Sequence, residues 1–258
     1  MNRVVVVLSR KGGVGKTTLV SNLASAATCA GSSVALVDTD TQGTLSRWAL
    51  GRDNLDRVTA EASVRKLTGV NSGFVGGELT PVNSDSELPP WCHQAGPIPG
   101  AIVVPVSPSI RLDDVTEINL HGLADVAIVD TPPDTGSSLV HAVIRNATDV
   151  VVPVAPELWS LESVPEVLGS LRDAGRDDLV ERAVVVLNMR MRNSVHQALE
   201  TILRQMYGRQ ASDVVFPRAV AFSEAAFKRT VVSPKSANGK LFATLWKSIT
   251  AKSVRRAA

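Results

Sequence analysis

Short runs of β-branched and aliphatic residues recur along the chain, and each ends at a polar or Gly/Pro-rich loop. They are Val4–Leu8, Val34–Val37, Ile102–Val104, Val126–Val129, Val150–Val154, Val184–Leu187 and Val214–Phe216. None alternates with polar residues, which is the pattern of strands buried on both faces in a parallel sheet. Helical periodicity falls between the runs, over Thr17–Ala30, Thr135–Ala147, Leu161–Ala174, Ser194–Tyr207 and Lys240–Lys252. Strand and helix in alternation predict an α/β fold: a doubly wound, mostly parallel sheet with helices on both faces. One domain over residues 1–258 accommodates all of it. The stretch 71–100 breaks the rhythm. It holds Gly73, Gly76, Gly77, Pro81, Pro89, Pro90, Gly96, Pro97, Pro99 and Gly100, so neither a regular helix nor a central strand fits there. We expect a long surface excursion.

Composition adds constraints. The formal charge of +2 is small, so affinity for a polyanion has to come from a local patch. No apolar run is long enough to cross a bilayer. Val4–Leu8 meets Arg10 and Lys11 too soon for a signal peptide. Cys29 and Cys92 form neither a CxxC pair nor a metal-ligand cluster, and the expected setting is reduced and cytoplasmic.

The chemistry begins where the first strand ends, in Lys11-Gly12-Gly13-Val14-Gly15-Lys16-Thr17-Thr18. Strand, glycine-rich loop and helix together make a phosphate site. Unpaired N–H groups and the partial positive charge of the helix start face the anion, and glycines let backbone approach it. Lys16 is placed for the β- and γ-phosphates, the Thr17 hydroxyl for Mg²⁺ and Thr18 for the α-phosphate. The ordinary spacing fails, however, because Arg10 stands where the first glycine belongs. Lys11 then puts a second lysine in the loop, which is costly unless an anion neutralises both.

This loop resembles the KGGxGK[ST] motif of the ParA/MinD family, the deviant Walker A P-loop ATPases, and most of all the short ParA proteins that partition DNA. The resemblance implies an ATP-sandwich homodimer in which Lys11, the signature lysine, reaches the partner's nucleotide. It extends to Asp38-Thr39-Asp40-Thr41-Gln42-Gly43, which is similar to the family's D-x-D-P-Q-G switch I with Thr41 in place of proline. Asp40 would then position or activate the attacking water, and Asp38 would support the Mg²⁺ shell. An acidic N-cap for the next helix is the competing role for Asp40. Val126–Asp130 reads as a Walker B strand with Asp130 holding Mg²⁺ through water. The Thr131-Pro132-Pro133 that follows resembles switch II.

Asn188, at the end of the sixth run, matches the family residue that reads adenine, and Phe216-Pro217-Arg218 resembles the segment bordering the base from the other side. A purely structural role competes for both Asn188 and Pro217. Arg190, Arg192, Arg204, Arg209, Arg218, Lys228, Arg229, Lys235 and Lys240 enrich the second half in positive charge. By resemblance this half binds nonspecific DNA once ATP has joined two subunits, and a ParB-like centromere-binding protein stimulates hydrolysis. The ATP-bound form would then be nucleoid-associated. Ordinary solvated charge accounts for about half of these residues.

Leu241, Phe242, Leu245, Trp246 and Ile249 fall at helical spacing among basic residues. Docking on the domain is the favoured reading, and a membrane-surface helix as in MinD-type relatives is the rival. A relative that positions a protein cargo such as carboxysomes shares the same core. A ligase or synthetase built on this fold is a third class.

Overall fold

The computed structural model describes residues 3–51, 92–105, 115 and 117–254. The expected excursion therefore lies outside the described residues as far as residue 91. Seven strands form one sheet: β1 (Arg3–Val7), β2 (Val34–Asp38), β3 (His93–Gln94), β4 (Ala101–Pro105), β5 (Val126–Asp130), β6 (Asp149–Val154) and β7 (Val184–Leu187). Their order is β3-β4-β2-β5-β1-β6-β7. All pairings are parallel except that of the short edge strand β3 with β4.

The helices are α1 (Lys16–Cys29), α2 (Thr44–Leu50), α3 (Ser138–Asn146), α4 (Leu158–Glu162), α5 (Val164–Asp173), α6 (Asp177–Val180), α7 (Ser194–Tyr207), α8 (Val220–Phe227) and α9 (Ala237–Val254). Right-handed crossovers decide which face each one covers. The chain leaves β1 for β2 in one direction, and α1 covers one face. It travels β5 to β6 to β7 in the other, so α3 and α5 cover the opposite face. The valines of β1 divide accordingly. Val4 and Val6 pack with Leu139, Val143 and Leu171, whereas Val5 and Val7 pack with Leu19, Leu23 and Leu245. Uninterrupted valine is thus the signature of a strand with two apolar neighbours.

Three sequence expectations change. Val214–Phe216 is not a strand. Ser212 N–H donates to the Val185 carbonyl at 2.8 Å, but the Ser212 hydroxyl then accepts the Val214 N–H at 3.0 Å. The Phe216 N–H takes the place at the Leu187 carbonyl, 2.9 Å away, so the ladder slips and only isolated bridges remain. The helix expected over Leu161–Ala174 is two helices, α4 and α5. Pro165 has no N–H to give the preceding turn, and the Leu161 carbonyl accepts the Tyr207 hydroxyl at 2.6 Å instead. The helix expected from Thr135 begins at Ser138, where the Ser137 hydroxyl caps the Val140 N–H at 3.3 Å.

The last helix docks. Phe242, Leu245, Trp246 and Ile249 of α9 are buried against α1 and the sheet, and the Phe242 ring lies 4.5 Å from that of Phe216. Burying such a side chain is worth about 1.5–3 kcal/mol, so the apolar stripe is committed to the domain. No described helix is long and apolar enough to cross a membrane.

Candidate functional site

Parallel strands deliver their C-terminal ends to one edge, and the chemistry-bearing loops leave from there. β1 runs into the phosphate loop, β2 into the Asp40 loop, β5 into the Thr131-Pro132-Pro133 loop and β7 into Asn188. Hydrogen bonds lock these loops together. Thr131 Oγ1 donates to the Val7 carbonyl at 2.7 Å, and Thr39 Oγ1 to the Asp130 carbonyl at 2.7 Å.

In the phosphate loop Gly13 and Gly15 take φ of 75° and 89°, the left-handed region in which a side chain is strained. At Gly15 space forbids one as well, since a Cβ would lie 2.4 Å from Asn188 Nδ2. Gly15 is the N-cap of α1 and supplies no side-chain cap, so the first N–H groups of the helix are left for another acceptor. Gly12, Val14 and Thr18 complete the loop, with Val14 buried and Thr18 in the first helical turn. Lys16 is buried, its Nζ 3.5 Å from the Ser9 carbonyl. Burial pulls its pKa down, and Asp130 and Asp40 pull it back up. The two nearby carboxylates thus favour the charged ammonium that burial disfavours.

Asp130 bears the mark of a cation site. Its Oδ2 accepts the Thr17 hydroxyl at 2.6 Å, while its buried Oδ1 has no partner. Its carboxyl is pushed up to about 7, first by burial and then by Asp38. An orphaned carboxylate oxygen beside a hydroxyl fits Mg²⁺, a hard cation that takes oxygen ligands.

Asp38 sits differently. Both its oxygens are used, Oδ2 by the Ser46 N–H and hydroxyl at 2.7 and 2.6 Å, and Oδ1 by the Asp40 N–H at 3.2 Å. Burial raises its pKa to about 6 against these bonds. In this geometry Asp38 anchors the loop that carries Asp40. Asp40 is not a helix cap, because Gly43 caps α2. One Asp40 oxygen accepts the Gln42 N–H at 2.9 Å.

The two lysines part company here. Lys16 turns into the loop, whereas the Lys11 ammonium pairs with Glu157 at the start of α4. Its neighbour Arg10 pairs with Glu166 on α5. Asn188 braces the loop from the far side, with Nδ2 donating to the Val14 carbonyl at 2.8 Å and Oδ1 accepting the Met189 N–H at 2.9 Å. Pro217 lies one segment further out, bridged to Arg190 and half-buried.

Sequence reasoning missed Ser46 and Glu157. Glu157 had a signal: two lysines in one loop call for a counter-charge, and the end of a buried strand is where one would come from. Of the basic residues, Arg190 pairs with Glu200 at 3.3 Å, Arg204 with Glu200 and Asp213, and Arg229 donates to the Trp48 carbonyl at 2.9 Å. Arg192, Arg218, Lys228, Lys235 and Lys240 are exposed and join no ion pair among the described residues.

Residues 5–232 match the CobQ/CobB/MinD/ParA nucleotide binding domain. The chain is 29% identical over 238 residues to the chromosome partitioning protein ParA of Caulobacter vibrioides, covering 86% of this chain and 83% of the relative. It is 26% identical over 259 residues to the sporulation initiation inhibitor protein Soj of Bacillus subtilis, covering 97% and 99%. Among solved structures, a putative plasmid partition protein from Borrelia burgdorferi bound to AMPPNP superposes with a TM-score of 0.72 at 14% identity, over 99% of this chain and all of that one. That likeness bears on the fold alone.

Proposed function

This chain belongs to the CobQ/CobB/MinD/ParA nucleotide-binding family, and we propose that it is a ParA-type ATPase. It dimerises around ATP, binds DNA without sequence preference and partitions it with a ParB-like partner. The observation that carries this reading is the division between the two lysines. Lys16 is buried beside Asp130 and Asp40 in its own loop, while Lys11 stands at the rim, held by a surface carboxylate.

The uncapped start of α1 and Lys16 bind the phosphates. Thr17 and Asp130 would hold Mg²⁺, which when bound neutralises charge on the β- and γ-phosphate oxygens. Asp38 and Ser46 fix the loop so that Asp40 can orient the attacking water with its second oxygen, which no described residue engages. Positioning is most of the catalysis that phosphoryl transfer needs. Lys11 exchanges Glu157 for the phosphates of the partner's nucleotide, and Asn188 borders the base. Arg192, Arg218, Lys228, Lys235 and Lys240, exposed and in no ion pair among the described residues, supply phosphate contacts to DNA. On this reading the chain works in the cytoplasm and is nucleoid-associated when bound to ATP. The buried stripe of α9 removes the feature that suggested a membrane surface. Positioning of a protein cargo rather than DNA is the alternative the same core would serve.

The deciding experiment is a mobility shift on random-sequence DNA with Mg²⁺ and ATP, alongside flotation with anionic liposomes. The wild type should shift DNA only with ATP, and the shift should weaken steeply with salt. Lys16→Ala should abolish both nucleotide binding and the shift. Asp40→Ala should bind ATP and DNA and persist as a dimer without turnover. ATP-dependent flotation without a DNA shift would overturn the DNA reading.

A further inference from the structure

The edge that carries the nucleotide loops also carries most of the exposed apolar side chains. Seven large hydrophobic residues are exposed among the described residues. Leu158 and Trp159 follow β6, Met191 and Val195 follow β7, and Val220 follows the extended segment beside β7. Only Met206 and Phe227 lie elsewhere, at the far ends of α7 and α8. Trp159 stands out at 77% exposed, with Leu158 at 47% beside it. Both follow Glu157 directly, the residue that holds Lys11. A tryptophan left in water next to a nucleotide pocket forfeits the largest apolar burial a side chain offers.

The surrounding charges say what fits. Arg10 and Lys11 alternate with Glu166 and Glu157, two cations with two anions in one cluster. A two-fold symmetric contact presents the same patch twice and therefore has to be self-complementary. This cluster is: its charges balance, so Arg10 can trade Glu166 for a carboxylate on the other copy while Lys11 leaves Glu157 for the partner's nucleotide, with no excess of like charge. An apolar pair inside a balanced ring of charge matches the core and rim of a self-association surface.

We propose that Trp159, with Leu158, is the apolar anchor by which two copies of this chain close over the nucleotide. This rests on the ATP-dependent dimer of the preceding reading and assigns its main contact. Trp159 acts through association and touches no reacting atom.

The test is sedimentation velocity of the full chain with Mg²⁺ and AMPPNP, with mant-ATP binding measured in parallel. Trp159→Ala should weaken the dimer by about 30-fold or more, as loss of a central aromatic does. Mant-ATP affinity of the isolated subunit should stay within a factor of about two, since the side chain lies outside the phosphate loop. Trp159→Phe should recover most of the association, and Phe227→Ala, a residue even more exposed but off this edge, should leave it unchanged. The difference in acrylamide quenching between wild type and Trp159→Phe should show this tryptophan shielded when AMPPNP is added. A wild type that stays monomeric with AMPPNP overturns the parent reading, and this proposal with it. A dimer that survives Trp159→Ala, or is lost equally with Phe227→Ala, overturns only the anchor and leaves the patch to another protein.

Discussion

Asp130→Asn separates what the folded chain tolerates from what its site needs. The carboxyl is 1% exposed and its pKa rises from 3.8 to about 7, through burial first and the neighbouring Asp38 second. At about 1.4 kcal/mol per tenfold change in proton affinity, the buried charge costs about 4 kcal/mol at neutral pH. The sign follows from proton counting. Between pH 3.8 and about 7 the folded chain holds a proton that the unfolded chain has lost. The stability present below that window is therefore lost as pH climbs through it. Asparagine does not titrate, and its oxygen can still accept the Thr17 hydroxyl. Without nucleotide, Asp130→Asn should melt higher than the wild type at pH 8, by about 10 °C for a chain of this size. The gap should shrink toward zero near pH 4. Adding Mg²⁺ and AMPPNP should reverse the order, because only the wild type gains a partner for its orphaned oxygen. Thermal unfolding followed by circular dichroism at pH 8, 6 and 4.5, with and without ligand, measures all of this. A nucleotide-free Asp130→Asn less stable than wild type at pH 8, or a gap indifferent to pH, would refute the reasoning.

Gly15→Ala should lower stability by about 2–4 kcal/mol, from positive φ strain and the lost Asn188 bond to the Val14 carbonyl. Its cost should fall in an Asn188→Ala background, as a double-mutant cycle will show. Ser46→Ala removes one of the two bonds that Ser46 gives the buried Asp38 carboxylate, so turnover should drop well before mant-ATP affinity does, because the loop carrying Asp40 loosens. Only the hydroxyl bond is lost outright, and steady-state hydrolysis beside equilibrium binding separates the two effects. Affinity for Mg²⁺-nucleotide, by calorimetry, should be weaker at pH 6 than at pH 8, since the Asp130 proton has to leave first. Phe242→Ala should cost about 3–5 kcal/mol in a denaturant melt by opening the seam between α9 and α1.

How much of this was legible in the sequence depended on what fixed each element. The doubly wound sheet was readable because strands with two buried faces have little choice but valine and leucine. The phosphate loop was readable because its glycines are demanded by backbone geometry, as Gly15 against Asn188 makes plain. Elements fixed by single long-range contacts were not. β3 is two residues long and exists through its partner β4. The slip at Val214 turns on one serine hydroxyl, and the break between α4 and α5 on one proline. α2, α6 and α8, of seven, four and eight residues, are too short for a periodicity to declare itself. In the site, residue types disclosed chemistry but not allegiance. The bonds that Asp38 makes to the Ser46 loop and Asn188 to the Val14 carbonyl depend on neighbours far along the chain, which residue types alone do not disclose.

The position of β1 has a consequence for synthesis. β1 is central, and its two neighbours, β5 and β6, come much later in the chain, beginning at Val126 and Asp149. The helix that follows it is sealed by α9, which begins only at Ala237. The phosphate loop between them is thus complete in sequence before any of these neighbours is made, yet lacks its walls until translation has passed Ile249. A nascent or prematurely released chain should therefore carry the whole motif and hold no nucleotide.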